Sequence, residues 1–205
     1  MSEDRPQLYL ATPPSFDLDV FPQLLARVLG AQEIACLRLG LATKDEDKVM
    51  RAADAVRQVA HDFDVALVIE NHIALVERHG LDGVHLTDGA RTVRYARKEL
   101  GQEAIVGCFC AASQHDGMTA GEAGADYVCF GPVGETGLGT GARAERDLFQ
   151  WWSEVIEVPV VAEGALTEDL VRELAPVTDF FAVGEEIWTA EDPVAALGRL
   201  VAAMG

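Results

Sequence analysis

Eight short apolar runs, each followed by a stretch of helical spacing, limit most strongly what this chain can fold into. The runs are Leu8–Ala11, Ile34–Leu37, Ala66–Ile69, Gly83–Leu86, Ile105–Cys108, Tyr127–Phe130, Val160–Ala162 and Phe180–Val183. They are short and bounded by Gly, Asp or Pro, the pattern of strands covered on both faces. The stretches between them read as helices over Phe21–Leu29, Asp45–His61, Ile73–His79, Thr92–Leu100, Met118–Ala123, Leu148–Ile156, Thr167–Leu174 and Pro193–Met204. In the second of these, Val49, Ala52, Ala53, Val56 and Val59 recur at a helical period, with Thr43 placed to cap the start. Alternating strands and helices give an α/β fold, and eight pairs give a single closed TIM (β/α)8 barrel. The 205 residues suffice for one such domain over 1–205 and leave little for a second. An open doubly wound sheet would need fewer strands and a glycine-rich turn after the first, which is missing.

Charge narrows the function classes. The chain has 34 acidic and 16 basic residues, a formal net charge of −18. That field repels nucleic acid and anionic membranes, so neither is expected as a partner. It also disfavours phosphorylated ligands unless local cations or a metal offset it. No run approaches the roughly 20 apolar residues of a membrane span. The start, MSEDRPQLYL, has no basic region before an apolar core, so no secretory leader is expected and a cytoplasmic setting follows. Cys36, Cys108, Cys110 and Cys129 read as reduced thiols rather than a disulfide framework. Cys108 and Cys110 share a strand face, but small thiols filling barrel layers are commoner than a soft-metal site at that spacing.

Several segments carry a resemblance. Leu8-Tyr9-Leu10-Ala11-Thr12, Leu37-Arg38, Asp82-Gly83-Val84-His85-Leu86, Gly124 through Val133, and Pro159 through Gly164 follow one another in order. From about residue 8 onward the chain resembles thiamine phosphate synthase and the related thiazole tautomerases, which are TIM barrels. The resemblance implies a transferase of thiamine biosynthesis. It would join a pyrimidine methyl pyrophosphate to a thiazole phosphate and release pyrophosphate with the help of Mg²⁺. Its partners would be small heterocyclic substrates, and the family habit allows a homodimer, although no interface is legible. At least one of Trp151 and Trp152 would pack under the barrel; the other could mark such a contact, although core packing is the commoner fate of either.

Carried onto this chain, the resemblance gives Arg38 and His115 catalytic roles, Arg38 holding the pyrophosphate and His115 moving a proton. Asn71, His85, Ser113, Gly131, Thr136, Glu163, Gly164 and Glu185 would contact substrate, and Glu70 and Asp88 would organise the metal. The chain departs from the family pattern at several of these places. Cys36-Leu37-Arg38-Leu39-Gly40 keeps the arginine of the second strand and lacks the lysine that follows it. The third strand ends in Glu70-Asn71 rather than Asn-Asp. Acids at Glu163, Glu185 and Glu186 stand in the loops after the last two strands, where the family cradles a phosphate. A carboxylate about 4 Å from a phosphate costs several kcal/mol at an effective dielectric near 20. Two further readings therefore stay open: an isomerase of the tautomerase kind with His115 as proton carrier, and a non-catalytic binder of a cationic heterocycle at an acidic barrel mouth.

Overall fold

The structure is a computed structural model that describes residues 5–135 and 142–205. Eight parallel strands close in chain order: β1 (Gln7–Ala11), β2 (Cys36–Leu39), β3 (Ala66–Glu70), β4 (Gly83–Leu86), β5 (Ile105–Phe109), β6 (Tyr127–Phe130), β7 (Val160–Glu163) and β8 (Phe180–Val183). The helices outside are α1 (Phe21–Leu29), α2 (Glu46–Asp62), α3 (Ile73–Arg78), α4 (Val93–Leu100), α5 (Gln114–Glu122), α6 (Arg146–Val155), α7 (Glu168–Leu174), α8 (Glu185–Trp188) and α9 (Pro193–Ala203). This is the TIM barrel that the alternation predicts.

Strand residues alternate between two apolar regions. Leu37, Leu39, Leu67, Ile69, Val84, Leu86, Phe181 and Val183 face outward into the layer beneath the helices. Tyr9, Cys36, Val68, Tyr127, Cys129, Val161 and Ala182 face the barrel axis. Arg38 follows Cys36 by two residues, so it too points inward, and Arg38 pairs in register with Val68.

The repeated Asp before a strand has a specific task. Asp82 Oδ2 accepts the N–H of Leu67 at 2.7 Å, Asp126 Oδ2 that of Val106 at 2.7 Å, and Asp179 Oδ2 that of Val160 at 2.8 Å. Each Asp precedes an even-numbered strand and ties down the start of the odd-numbered strand before it. Asp126 also pairs with the buried Arg97 at 2.5 Å.

Some boundaries differ from the sequence reading. β2 starts two residues later than expected, because Ile34 and Ala35 lead into it, the latter donating to the Leu8 carbonyl. β3 and β7 each run one residue further, so Glu70 and Glu163 end strands instead of beginning loops. The α2 cap is Asp45, whose side chain accepts from Lys48 N, while Thr43 Oγ1 takes the N–H of Asp45. α5 begins at Gln114, four residues early, capped by Ser113. Trp152 is fully buried, donating to Val158 O at 2.7 Å. Trp151 is half-buried and packs against the core as well.

Candidate active site

The polar centre of the barrel is built on Arg38. Its side chain is only 7% exposed. One Nη1 hydrogen goes to Glu163 Oε2 at 3.0 Å and another reaches His85 Nε2 at 3.1 Å. Nη2 donates to Glu163 Oε1. Arg38 thus grips both carboxylate oxygens of a residue on the far side of the barrel. Its Nε lies 3.2 Å from Glu70 Oε1, yet that N–H is not aligned on any acceptor. The guanidinium also sits 5.6 Å from the centre of the Tyr9 ring.

This arrangement fixes the protons around it. A guanidinium only donates, so His85 Nε2 must accept and Nδ1 must carry the hydrogen. Nδ1 therefore donates to the Tyr127 hydroxyl at 2.9 Å. That hydroxyl also shares a hydrogen bond of 2.7 Å with Tyr9 Oη. Burial, reinforced by the positive charge of Arg38, pushes the His85 pKa down to about 3, so the ring is neutral at any ordinary pH. Burial raises both tyrosines well above their usual range.

The two carboxylates differ in character. Burial works against the ionised form of Glu163, but the charge and hydrogen bonds of Arg38 outweigh it, helped by His85 and Cys129. Its pKa falls to about 2. Cys129 donates its S–H to Glu163 Oε2 at 2.9 Å. For Glu70 the balance is reversed: burial raises its pKa more than Arg38 lowers it, and Glu163 raises it further. Glu163 is a fixed anion, and Glu70 is the acid that takes up a proton first.

The predicted site residues do not all join this cluster. Arg38, His85, Glu70 and Glu163 meet as described. Asn71 instead holds the β4 loop, its Oδ1 accepting from Thr87 N at 3.0 Å and its Nδ2 donating to Thr87 Oγ1 at 2.8 Å. With Lys44, His72 and Glu70 it lines a cleft over the ends of β2 and β3. Ser113 is a helix cap whose Oγ accepts from Asp116 N at 3.1 Å. His115 is exposed in the first turn of α5, within a second cleft over β4 and β5 lined also by Asp88, Arg91, Cys110 and Asp116. Among the described contacts nothing joins His115 to Arg38. Gly131 and Gly164 hold two loops together: Val133 N donates to Glu163 O at 3.0 Å and Gly134 N to Gly164 O at 3.0 Å. A Cβ on Gly131 would fall 2.4 Å from Glu163 O. Glu185 is exposed at the start of α8. Thr136 lies outside the described residues.

The implied magnesium does not find its ligands assembled. Glu70 is turned to Arg38, and Asp88 accepts the Thr92 hydroxyl. Among the described residues, no three His, Cys, Asp or Glu side chains converge as a hard cation would require. Cys108 and Cys110, with Sγ atoms 3.6 Å apart, face the helix layer and not the barrel axis. All four cysteines are free.

Sequence reasoning missed Tyr9, Tyr127 and Cys129. The signal was there in the alternation: Tyr127 and Cys129 are two apart on β6, as Cys36 and Arg38 are on β2. A tyrosine pointing into a barrel must find a partner for its hydroxyl.

Comparison with known proteins decides the family. The family model described as thiamine monophosphate synthase matches residues 8–187. The chain belongs to the thiamine monophosphate synthase family. It is 39% identical over 184 residues to the thiamine-phosphate synthase of Rhodospirillum centenum, covering 89% of each chain. It is 38% identical to that of Erythrobacter litoralis, covering 92% of this chain and 91% of the relative. Among solved structures it superposes on the thiamine phosphate pyrophosphorylase of Pyrococcus furiosus with a TM-score of 0.82 and 21% identity, covering 98% of this chain and 96% of that one. Membership places the chain among transferases of thiamine biosynthesis. Among the described residues no helix is long and apolar enough to cross a membrane.

Proposed function

We propose that the chain carries out the pyrimidine transfer of thiamine-phosphate synthesis. The CH2–O bond of a pyrimidine methyl pyrophosphate breaks, and pyrophosphate leaves with the electron pair. The ring nitrogen of a thiazole then gives its lone pair to the pyrimidine methylene. The observation that carries this reading is the Arg38 cluster, seated inside the mouth of a barrel whose family performs this chemistry.

Each member has a task. Glu163, ionised down to about pH 2, presents a fixed negative charge where the pyrimidine cation develops. Arg38 holds Glu163 in place and keeps one N–H without an aligned acceptor beside Glu70. A pyrophosphate entering the cleft of Lys44, Asn71 and His72 takes that N–H when Glu70 swings away or is protonated. His85, neutral and locked between Arg38 and Tyr127, fixes the arginine's orientation and does not itself shuttle a proton. His115 lies outside this cluster, so nothing in the geometry favours an isomerase with His115 as proton carrier.

Single-turnover measurement of Arg38→Ala and Arg38→Lys tests the roles. Arg38→Ala is expected to lower the coupling rate by about a hundredfold or more, because it removes a cation and leaves Glu163 unpaired in the barrel. Lysine, which cannot grip both oxygens of Glu163, restores little. An unchanged rate in the folded Ala variant would remove Arg38 from the mechanism.

A further inference from the structure

Glu186 sits at the tops of the last two strands and already makes the contacts that an anionic ligand would seek there. Its Oε1 accepts the N–H of Leu166, from the loop after β7, at 3.0 Å. Its Oε2 accepts the N–H of Gly184, from the loop after β8, at 2.9 Å. In barrels of this class, the loops after strands seven and eight are where substrate phosphates are commonly seated, on backbone N–H groups. Here one backbone N–H from each loop is consumed by the chain's own carboxylate, one per oxygen. Glu186 is half-buried, and its two bonds tie the loop after β7 to the loop after β8.

Two further carboxylates stand near the ends of these strands. Glu185 precedes Glu186 in the first turn of α8. The carboxylate of Glu163, at the end of β7, is ionised and bound to Arg38. That contact also commits Arg38 to Glu163. A phosphate dianion would either have to expel Glu186 from two charge-assisted hydrogen bonds or lie against it. A hydroxyl suffers neither penalty, since it can donate to the carboxylate without displacing it.

We propose that Glu186 is a specificity-determining residue that fills the phosphate seat, so that this chain prefers a thiazole whose side arm ends in a free hydroxyl over one whose arm ends in a phosphate ester. The bond changes are those of the transfer above: pyrophosphate leaves the pyrimidine methylene, and the thiazole nitrogen closes on it. No phosphate of the acceptor takes part. The inference rests on the proposed transfer for its substrate, while the occupation of the seat stands on the contacts of Glu186 alone.

The test therefore has two arms. In the first, kcat/KM is measured for the hydroxyalkyl thiazole and for its phosphate ester, with the pyrimidine pyrophosphate held saturating. Wild type is expected to favour the alcohol by about tenfold or more, and Glu186→Ala to shift the ratio toward the ester by a similar factor. A wild-type preference for the ester, with a ratio unmoved in Glu186→Ala, overturns the proposal. In the second arm, inorganic phosphate is titrated and followed by phosphorus NMR, without any turnover. Saturable binding in Glu186→Ala and none in wild type supports it; saturable binding of equal strength in both overturns it. Should neither acceptor give product, the transfer reading fails, and the phosphate titration still decides who occupies the seat. Glu186→Gln, of equal size and without the charge, serves if the Ala variant does not fold, and is expected to move both readouts in the same direction by less.

Discussion

At the scale of single residues, the barrel interior holds a buried arginine that grips both oxygens of one carboxylate and keeps one N–H unaligned. Arg38, Glu163 and His85 are mutually dependent, and His85 makes the dependence measurable. Its pKa in the folded chain is lowered to about 3 from an ordinary 6.5. Between those values the unfolded chain binds a proton that the folded chain refuses, so stability falls as pH drops through this window and is regained as pH rises. The loss is about 2 kcal/mol at pH 5 relative to pH 7, from 1.36 kcal/mol per unit over the 1.5 units below 6.5. Chemical denaturation across that range should show the slope, and His85→Gln, which still offers Arg38 an acceptor, should remove most of it. An identical slope in the variant would assign it to other groups. Glu70 gives a second prediction. In the proposed transfer Glu70 contests Arg38 with incoming pyrophosphate, so Glu70→Gln should lower the KM for the pyrimidine substrate several-fold, as removal of one nearby carboxylate does at an effective dielectric near 20. A raised KM would mean that Glu70 binds the substrate.

At the scale of elements, the Asp that closes the junctions into β4, β6 and β8 is the repeated fastening. Removing the carboxylate leaves a strand N–H unsatisfied at the base of the barrel. Asp82→Ala, Asp126→Ala and Asp179→Ala should each cost about 1–3 kcal/mol in urea unfolding, with Asp126 the largest because Arg97 loses its ion pair too. Equal and negligible effects would show that water takes the vacated place. Inside the barrel, a Cβ on Gly107 would lie 1.9 Å from the Tyr127 ring, so only glycine lets that ring reach His85.

These elements also mark what a sequence can reveal. The ranges of β4, β6 and β8 were legible because Gly83, Asp126 and Asp179 punctuate them. α5 was hidden in its first half, since Gly117 interrupts the helical pattern and Ser113 looks like a site residue before it looks like a cap. Arg38, Glu70, His85 and Glu163 were each legible as acids or bases at strand ends. Their mutual pairing was not, because Arg38 and Glu163 are 125 residues apart and meet only when the barrel closes. Glu163 was read as a repulsive loop acid; its position at the end of β7 makes it the partner of an arginine. Glu186 was legible as an acid just after the last strand, but its bonds to Leu166 and Gly184 needed coordinates.

At the scale of the whole molecule, the proposed transfer requires a barrel of net charge −18 to take in an anionic donor. The long-range field opposes that encounter while Arg38 and Lys44 favour its final step. Salt screens the former more than the latter, because exposed charges lie within solvent and Arg38 does not. Raising ionic strength from low to physiological values should therefore lower the KM for the pyrimidine pyrophosphate, and a rise in KM would place the dominant cation at the surface. The central claim is that the Arg38 cluster supports pyrimidine transfer to a thiazole nitrogen. Its most direct test is chromatographic detection of the coupled thiazolium product after purified protein is mixed with the pyrimidine pyrophosphate, Mg²⁺, and either the thiazole alcohol or its phosphate. The account predicts product that is abundant with wild type, greater with the alcohol, and lost in Arg38→Ala. No coupled product with either acceptor, from folded protein at stoichiometric concentration, would contradict it.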